Sequence, residues 1–267
     1  MQPPFYALRI YKYNKLKFIR IMKTKFLLFA CFISLVNICC YAFSNKIRGN
    51  GNVITRNISI NDYDKISITG PFTIEYKQSQ EPSALKLTTD ENLFEYIDIH
   101  VVNSELQIQI KCPPKCKNGI SIEPKELKIV SHSKNLNKIS LTGSGSFLTK
   151  DLVSTKNMII SLTGSGDICL QKLEANILSC NLAGSGDISI QGKCDVAKAN
   201  IAGSGDIDLQ KCEANQANCD IAGSGDIKIY ATKKINANIV GSGSIHYTGN
   251  PEIQKSIIGN GSVTRIN

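Results

Sequence analysis

Four aspartates stand at one offset in a repeated decapeptide. Asp167 lies in "SLTGSGDICL" from Ser161, Asp187 in "NLAGSGDISI" from Asn181, Asp206 in "NIAGSGDIDL" from Asn200 and Asp226 in "DIAGSGDIKI" from Asp220. Carboxylates recurring in this way suggest three chemistries. Stacked coil upon coil they could hold calcium, as Gly/Asp-rich β-helix repeats do, although that motif has a nine-residue period. As neighbouring pairs they could act as the acid and base of glycoside hydrolysis, which needs carboxyls about 5–9.5 Å apart. Any two neighbours in a ladder meet that distance, so the match is unspecific. Third, they could accept hydrogen bonds from backbone amides of the GSG turn. Repulsion of about 1 kcal/mol per neighbouring pair calls for some such compensation. The turn role is the expectation, and a calcium ladder through Asp167, Asp187, Asp206 and Asp226 is the alternative. No aromatic or basic residue recurs beside the aspartates, the chain has no Trp, and Ser146, Ser244 and Ser262 replace Asp where the repeat degenerates.

Other reactive residue types are sparse or scattered. His100, His132 and His246 are far apart, and "CPPKC" (Cys112–Cys116) has no second pair to complete a zinc site. It could close a small loop or end two strands. Cys180 and Cys219 fall in a mostly small, apolar column and are expected in the core. Cys194 and Cys212 follow their repeat anchors by ten and nine residues, so they are expected as neighbours on adjacent coils. A bridge between them is not expected, because directly stacked side chains orient poorly for one. No catalytic constellation, nucleotide loop or cofactor-binding motif is expected.

The elements that position these residues follow from the repeat. With the first Gly of each corner as anchor, Gly143, Gly164, Gly184, Gly203, Gly223, Gly241 and Gly259 are 18–21 residues apart. Two before the anchor stand Leu141, Leu162, Leu182, Ile201, Ile221, Ile239 and Ile257; four after it stand Phe147, Ile168, Ile188, Ile207, Ile227, Ile245 and Val263. Between these columns the residues are mostly polar. Period-two alternation indicates strands with one buried face. Matching residues in matching order favour parallel stacking of whole repeats over a meander. The fold class is therefore all-β: a parallel β-helix or solenoid with about 18–21 residues per GSG-anchored coil, preceded by a less regular β region.

That preceding region shows alternating strands such as "KISITGPFTIEY" (Lys65–Tyr76), with one helical turn expected over Asp90–Tyr96. "ISITGPF" echoes "ISLTGSGSF" from Ile139, so degenerate coils with long excursions are expected there. The division is a leader at 1–42, an irregular β region at 43–135 and regular repeats at 136–267.

The formal charge of +9 is concentrated in the leader. Residues 1–42 hold seven basic residues and no acidic one; the remainder has 24 basic against 22 acidic, which removes the basis for a nucleic-acid reading. Met22-Lys23-Thr24-Lys25, the apolar run Phe26–Ile38 and Cys40-Tyr41-Ala42 have the form of a secretory signal peptide, with Met22 the expected start and cleavage after Ala42. A span is not expected after cleavage. Cys39 and Cys40 are poorly placed for lipidation. The protein is thus expected to be exported, to the periplasm, the outer-membrane surface or beyond.

The sequence resembles the GIN-domain family, the head domain of proteins labelled auto-transporter adhesins. The resemblance rests on "GNGNVITRNISINDYDKISITGPFTIEY", "TTDENLFEYI", the GSGDI series and "GSGSIHYTGNPEIQKSIIGNGSV", in that order. It implies a β-helical fold in the cell envelope and offers no catalytic residues. The expected role is binding, adhesion or scaffolding, with an extracellular glycan or an envelope protein as partner. A β-helical polysaccharide lyase or hydrolase is the alternative.

Overall fold

The computed structural model describes residues 45–112 and 119–266. The expected leader, its cleavage site and Cys116 lie outside them. Among the described residues, eighteen strands and one 3-10 turn follow in order. The front half contains β1 (Asn45–Arg48), β2 (Val53–Ile58), β3 (Lys65–Thr69), β4 (Thr73–Gln78), β5 (Ala84–Asp90), the 3-10 turn Glu91–Tyr96, β6 (Ile97–Val102), β7 (Glu105–Ile110), β8 (Ile120–Glu123) and β9 (Leu127–Ser133). The repeats contain β10 (Lys138–Gly143), β11 (Ser146–Gly164), β12 (Asp167–Gly184), β13 (Asp187–Gly203), β14 (Asp206–Gly223), β15 (Ile227–Gly241), β16 (Ser244–Thr248), β17 (Glu252–Gly259) and β18 (Ser262–Arg265).

The repeats form a parallel β-solenoid, and the whole stack has about six turns. Each of β11 to β14 runs from one GSG corner to the next and pairs with its successor in parallel. Like residues meet like: Leu162 faces Leu182, Leu182 faces Ile201, Ile168 faces Ile188 and Ile188 faces Ile207. These columns are buried, with Ile188 and Ile207 at 0% exposure. Each inward Leu or Ile contributes about 2 kcal/mol by leaving water. Cys180 and Cys219 occupy the same interior, as expected. Burial pushes both thiols up, Cys219 to about 12.

The corners explain the glycines. Gly203 adopts φ +141°, a conformation side chains rarely take, and a Cβ on Gly205 would lie 2.1 Å from the carbonyl oxygen of Gly186 on the coil before. Coils therefore touch through bare backbone at this corner. Two further interruptions of the pairing, for example between Leu170 and Leu173 and at Asn176, divide each regular coil into three straight runs.

Parallel stacking continues into the front half. β10 pairs with β3, setting Ile139 against Ile66 and Leu141 against Ile68, and β11 pairs with β4 through Phe147 and Ile74. The echo between "ISITGPF" and "ISLTGSGSF" is thus one of register. β7 adds to β3 in parallel, while β6–β7, β2–β5 and β5–β9 are antiparallel excursions. The β6–β7 hairpin turns at Asn103 and Ser104, both with positive φ.

Asp90 holds the excursions at this end. It has no exposed surface, and its carboxylate accepts the backbone N–H groups of Gly51 and Lys125, each at 2.7 Å. Burial pushes its pKa up, but backbone donors led by Lys125 and Gly51 outweigh burial and hold it below the ordinary Asp value. Two buried tyrosines are likewise satisfied: Tyr63 meets Ser131 at 2.6 Å and Tyr76 meets Ser133 at 2.8 Å. Burial pushes the Tyr76 hydroxyl up to about 12.

Candidate functional site

The aspartate ladder forms as expected, but its donors differ. Asp167, Asp187 and Asp206 are register partners. The carboxylate of Asp187 accepts the backbone N–H of Asp206 at 3.3 Å, Asp206 accepts that of Asp226 at 2.9 Å, and Asp226 accepts that of Ser244 at 2.8 Å. Each of these three side chains thus bonds the equivalent residue of the next coil, not an amide of its own GSG turn. The physical reason is the short rise between coils, which brings the next amide within reach of a two-atom side chain. No grouping of three His, Cys, Asp or Glu suited to a metal occurs among the described residues.

Outward residues on the strand before each GSG corner form a long flat face. One column reads Thr69, Thr142, Thr163, Ala183, Ala202, Ala222, Val240 and Ile258, each paired with the next. Two residues earlier stand Ser67, Ser140, Ser161, Asn181, Asn200, Asp220, Asn238 and Ser256. Hydroxyls therefore recur about 4.8 Å apart along the stack and about 7 Å apart along the strand. Amides tie the other end: Asn200 Nδ2 donates to Asn181 Oδ1 at 3.0 Å, and Asn238 Nδ2 to Asp220 Oδ1 at 2.7 Å. The face offers donors and acceptors among side chains that are small from Thr69 to Ala222 and become larger and apolar at Val240 and Ile258. Sequence reasoning read the buried columns and passed over these outward ones, although the signal was the same alignment one residue over.

A shallow groove of about 420 Å³ lies on another part of the coil. Its lining includes Glu174, Lys193, Cys194, Asp195, Glu213 and Asn215. Glu174, Lys193 and Glu213 occupy successive places in one column, and Lys193 Nζ pairs with Glu174 Oε1 at 3.1 Å. The repeat is degenerate here, which hid the groove in the sequence. Cys194 forms part of the floor. Contrary to the direct stacking expected, Cys194 is paired with Ala214, and Cys212 with Gly192. Both cysteines are free. Interaction with Cys212 lowers the pKa of Cys194, and the same interaction together with burial raises that of Cys212. Cys112, in contrast, is disulfide-bonded.

Residues 62–251 match the family model described as "Putative auto-transporter adhesin, head GIN domain". Among solved structures, a protein of Parabacteroides distasonis described as a putative lipid binding protein is 41% identical, with TM-score 0.73, over 84% of this chain and all of that one. A putative adhesin of Bacteroides fragilis is 29% identical, with TM-score 0.75, over 82% of this chain and all of that one. A putative adhesin of Parabacteroides merdae is 26% identical, with TM-score 0.72, over 84% of this chain and all of that one. No curated protein matches the chain. In-register GSG coils, the antiparallel excursions that precede them and a match over most of the length agree: the chain belongs to the GIN-domain family of auto-transporter adhesin head domains.

Proposed function

We propose that this protein is an exported, non-enzymatic module of the cell envelope that adheres to an extended extracellular glycan through the flat face carrying Ser140, Thr142, Asn200 and Ala202. The observation that carries the reading is the continuity of that face, in register from β3 to β17. A periodic plane of hydroxyls and amides suits a polymer with periodic hydroxyls, and a long solenoid face spreads many weak contacts over one ligand. An envelope protein is the other partner class this surface could take. The family's adhesin description supports a binding role.

The aspartates support a structural role, since three of them satisfy backbone amides of the next coil. Lipid binding, named for the Parabacteroides distasonis relative, has less support in this chain. The groove is lined mainly by charged and polar groups, and the exposed large apolar side chains are distributed over β6, β9, β11, β12, β15 and β17, with only Val240 and Ile258 paired directly.

A glycan array with purified protein tests the proposal, together with turnover assays on acidic polysaccharides. Binding of the native chain to a glycan, abolished by Thr142→Arg with Ala202→Arg and accompanied by no change in polymer length, is the expected result. Unaltered binding by a folded double variant would remove the face from the site. Depolymerisation would favour the β-helical lyase or hydrolase instead.

A further inference from the structure

We propose that the edge formed by the last turn, β17 with β18, is held closed to a second copy of this chain by Lys255 and Arg265, which stand where the interior of the stack would continue. Among the described residues, no strand adds to β17 or β18 on the side away from β15 and β16. An edge of this kind is a template for pairing with another chain. Two inward columns reach it and change character there. One runs through Ile139, Ile160, Cys180, Ala199, Cys219 and Ala237, each at most 1% exposed, and ends on Lys255. The other runs through Leu209, Ile229 and Tyr247 and ends on Arg265. Leu209 and Ile229 are fully buried, whereas Lys255 and Arg265 are both exposed. The other inward places of the turn stay apolar: Ile253, Ile257 and Val263, all half-buried, continue Ile235, Ile239 and Ile245.

These two substitutions decide what the edge accepts. A copy that added a strand to β17 would extend the interior by one layer and enclose the cations. In an antiparallel pairing of β17 with its own counterpart, centred on Lys255, the two ammonium groups stand opposite each other. A shift of two residues sets each against Ile253 or Ile257 of the copy instead. A head-to-tail join meets the same obstacle, because β6, the strand at the front of this sheet, packs Ile97, Ile99 and Val101 against the core. No inward position of β17 or β18 carries an acid, so each of these arrangements buries a charge without a partner. Without the cations, the edge would present Ile253, Ile257, Val263 and the 60% exposed Ile258 beside an unextended backbone ladder, a surface that favours association. Inward charge thus gives the last coil the role of a capping repeat, which a solenoid needs to stay soluble.

The experiment compares the mass in solution of the full chain and its variants by sedimentation, at matched concentrations and after cooperative melting has shown that each is folded. Lys255→Ile with Arg265→Leu is expected to raise the mass above that of wild type, increasingly so with concentration. Adding Ile257→Lys to that variant returns a cation to an inward column and should bring the mass back to the wild-type value. Lys86→Ile with Lys150→Leu makes the same change of charge and apolarity at two exposed places on other strands, and should leave the mass unchanged. A folded Lys255→Ile, Arg265→Leu variant with the mass of wild type would overturn the proposal. So would an equal rise in the Lys86→Ile, Lys150→Leu control, which would trace association to net charge and not to the edge. Should the first variant not fold, Lys255→Gln with Arg265→Gln removes the charges alone and is read by the same two criteria.

Discussion

At the scale of single residues, carboxylates do different kinds of work in the regular coils and in the front half. Asp206 is exposed and joins two coils by one bond to the Asp226 amide. Asp206→Ala is expected to cost about 1 kcal/mol, and Asp206→Asn close to nothing, because the amide oxygen still accepts and ladder repulsion falls. Thermal melts of both variants check this. The same melts of wild type with calcium and with chelator should coincide; a calcium-dependent rise would transfer the ladder to metal binding. Asp90 is buried and holds two amides from separate segments. Asp90→Ala leaves both without a partner, for a loss of about 2 kcal/mol or more. Since its folded pKa is depressed, its stabilising contribution is complete above the unfolded value of about 3.9. That contribution disappears as pH falls through the lower folded value. Acid titration of stability should therefore be shallower for Asp90→Asn than for wild type.

At the scale of the element, each coil is set by two requirements that conflict elsewhere in proteins: an apolar interior of branched side chains and corners without side chains. Gly205 cannot accept a Cβ beside the Gly186 carbonyl without shifting two coils. Gly205→Ala is expected to destabilise by at least about 2–3 kcal/mol, well above the usual cost of a surface substitution. Denaturant unfolding measures it, and an unchanged midpoint would show that the corner yields. The contrast with Gly51 is informative, because a Cβ there would meet nothing within 4 Å despite its φ of +82°.

At the scale of the whole molecule, the two ends of the stack are built differently. Among the described residues, the front adds the antiparallel pairs β6–β7 and β2–β5, whereas the last turn, β17 and β18, adds to β15 and β16 in parallel. Inward residues of the last turn accordingly lose cover: Ile239 is 1% exposed, while its partner Ile257 is only half-buried. Export remains a proposal about the same whole. The basic and apolar segment before Ala42 predicts a mature chain beginning at Phe43. Mass spectrometry of protein recovered from the envelope fraction should show that terminus; a lipid-modified Cys39 or Cys40 would replace it with an anchored form.

The sequence by itself determined the parallel solenoid, its inward columns and the glycine corners, because each depends on identity at a fixed spacing and stacking repeats that identity about every 4.8 Å. Even the degenerate coil at Ile66 and Ile74 was legible through its echo of Ile139 and Phe147. Only the tertiary structure decided the partners of residues that do not repeat. Asp90 meets amides 39 and 35 positions away, which no local pattern encodes. The aspartate carboxylates reach the next coil's amide because coil spacing, not turn shape, sets which donor is near. Cys194 and Cys212 are offset by two positions: their places after the repeat anchors differ by one residue, and the pairing slips by one more between Ser189 and Gly192, a slip fixed by how the coil bends around its core.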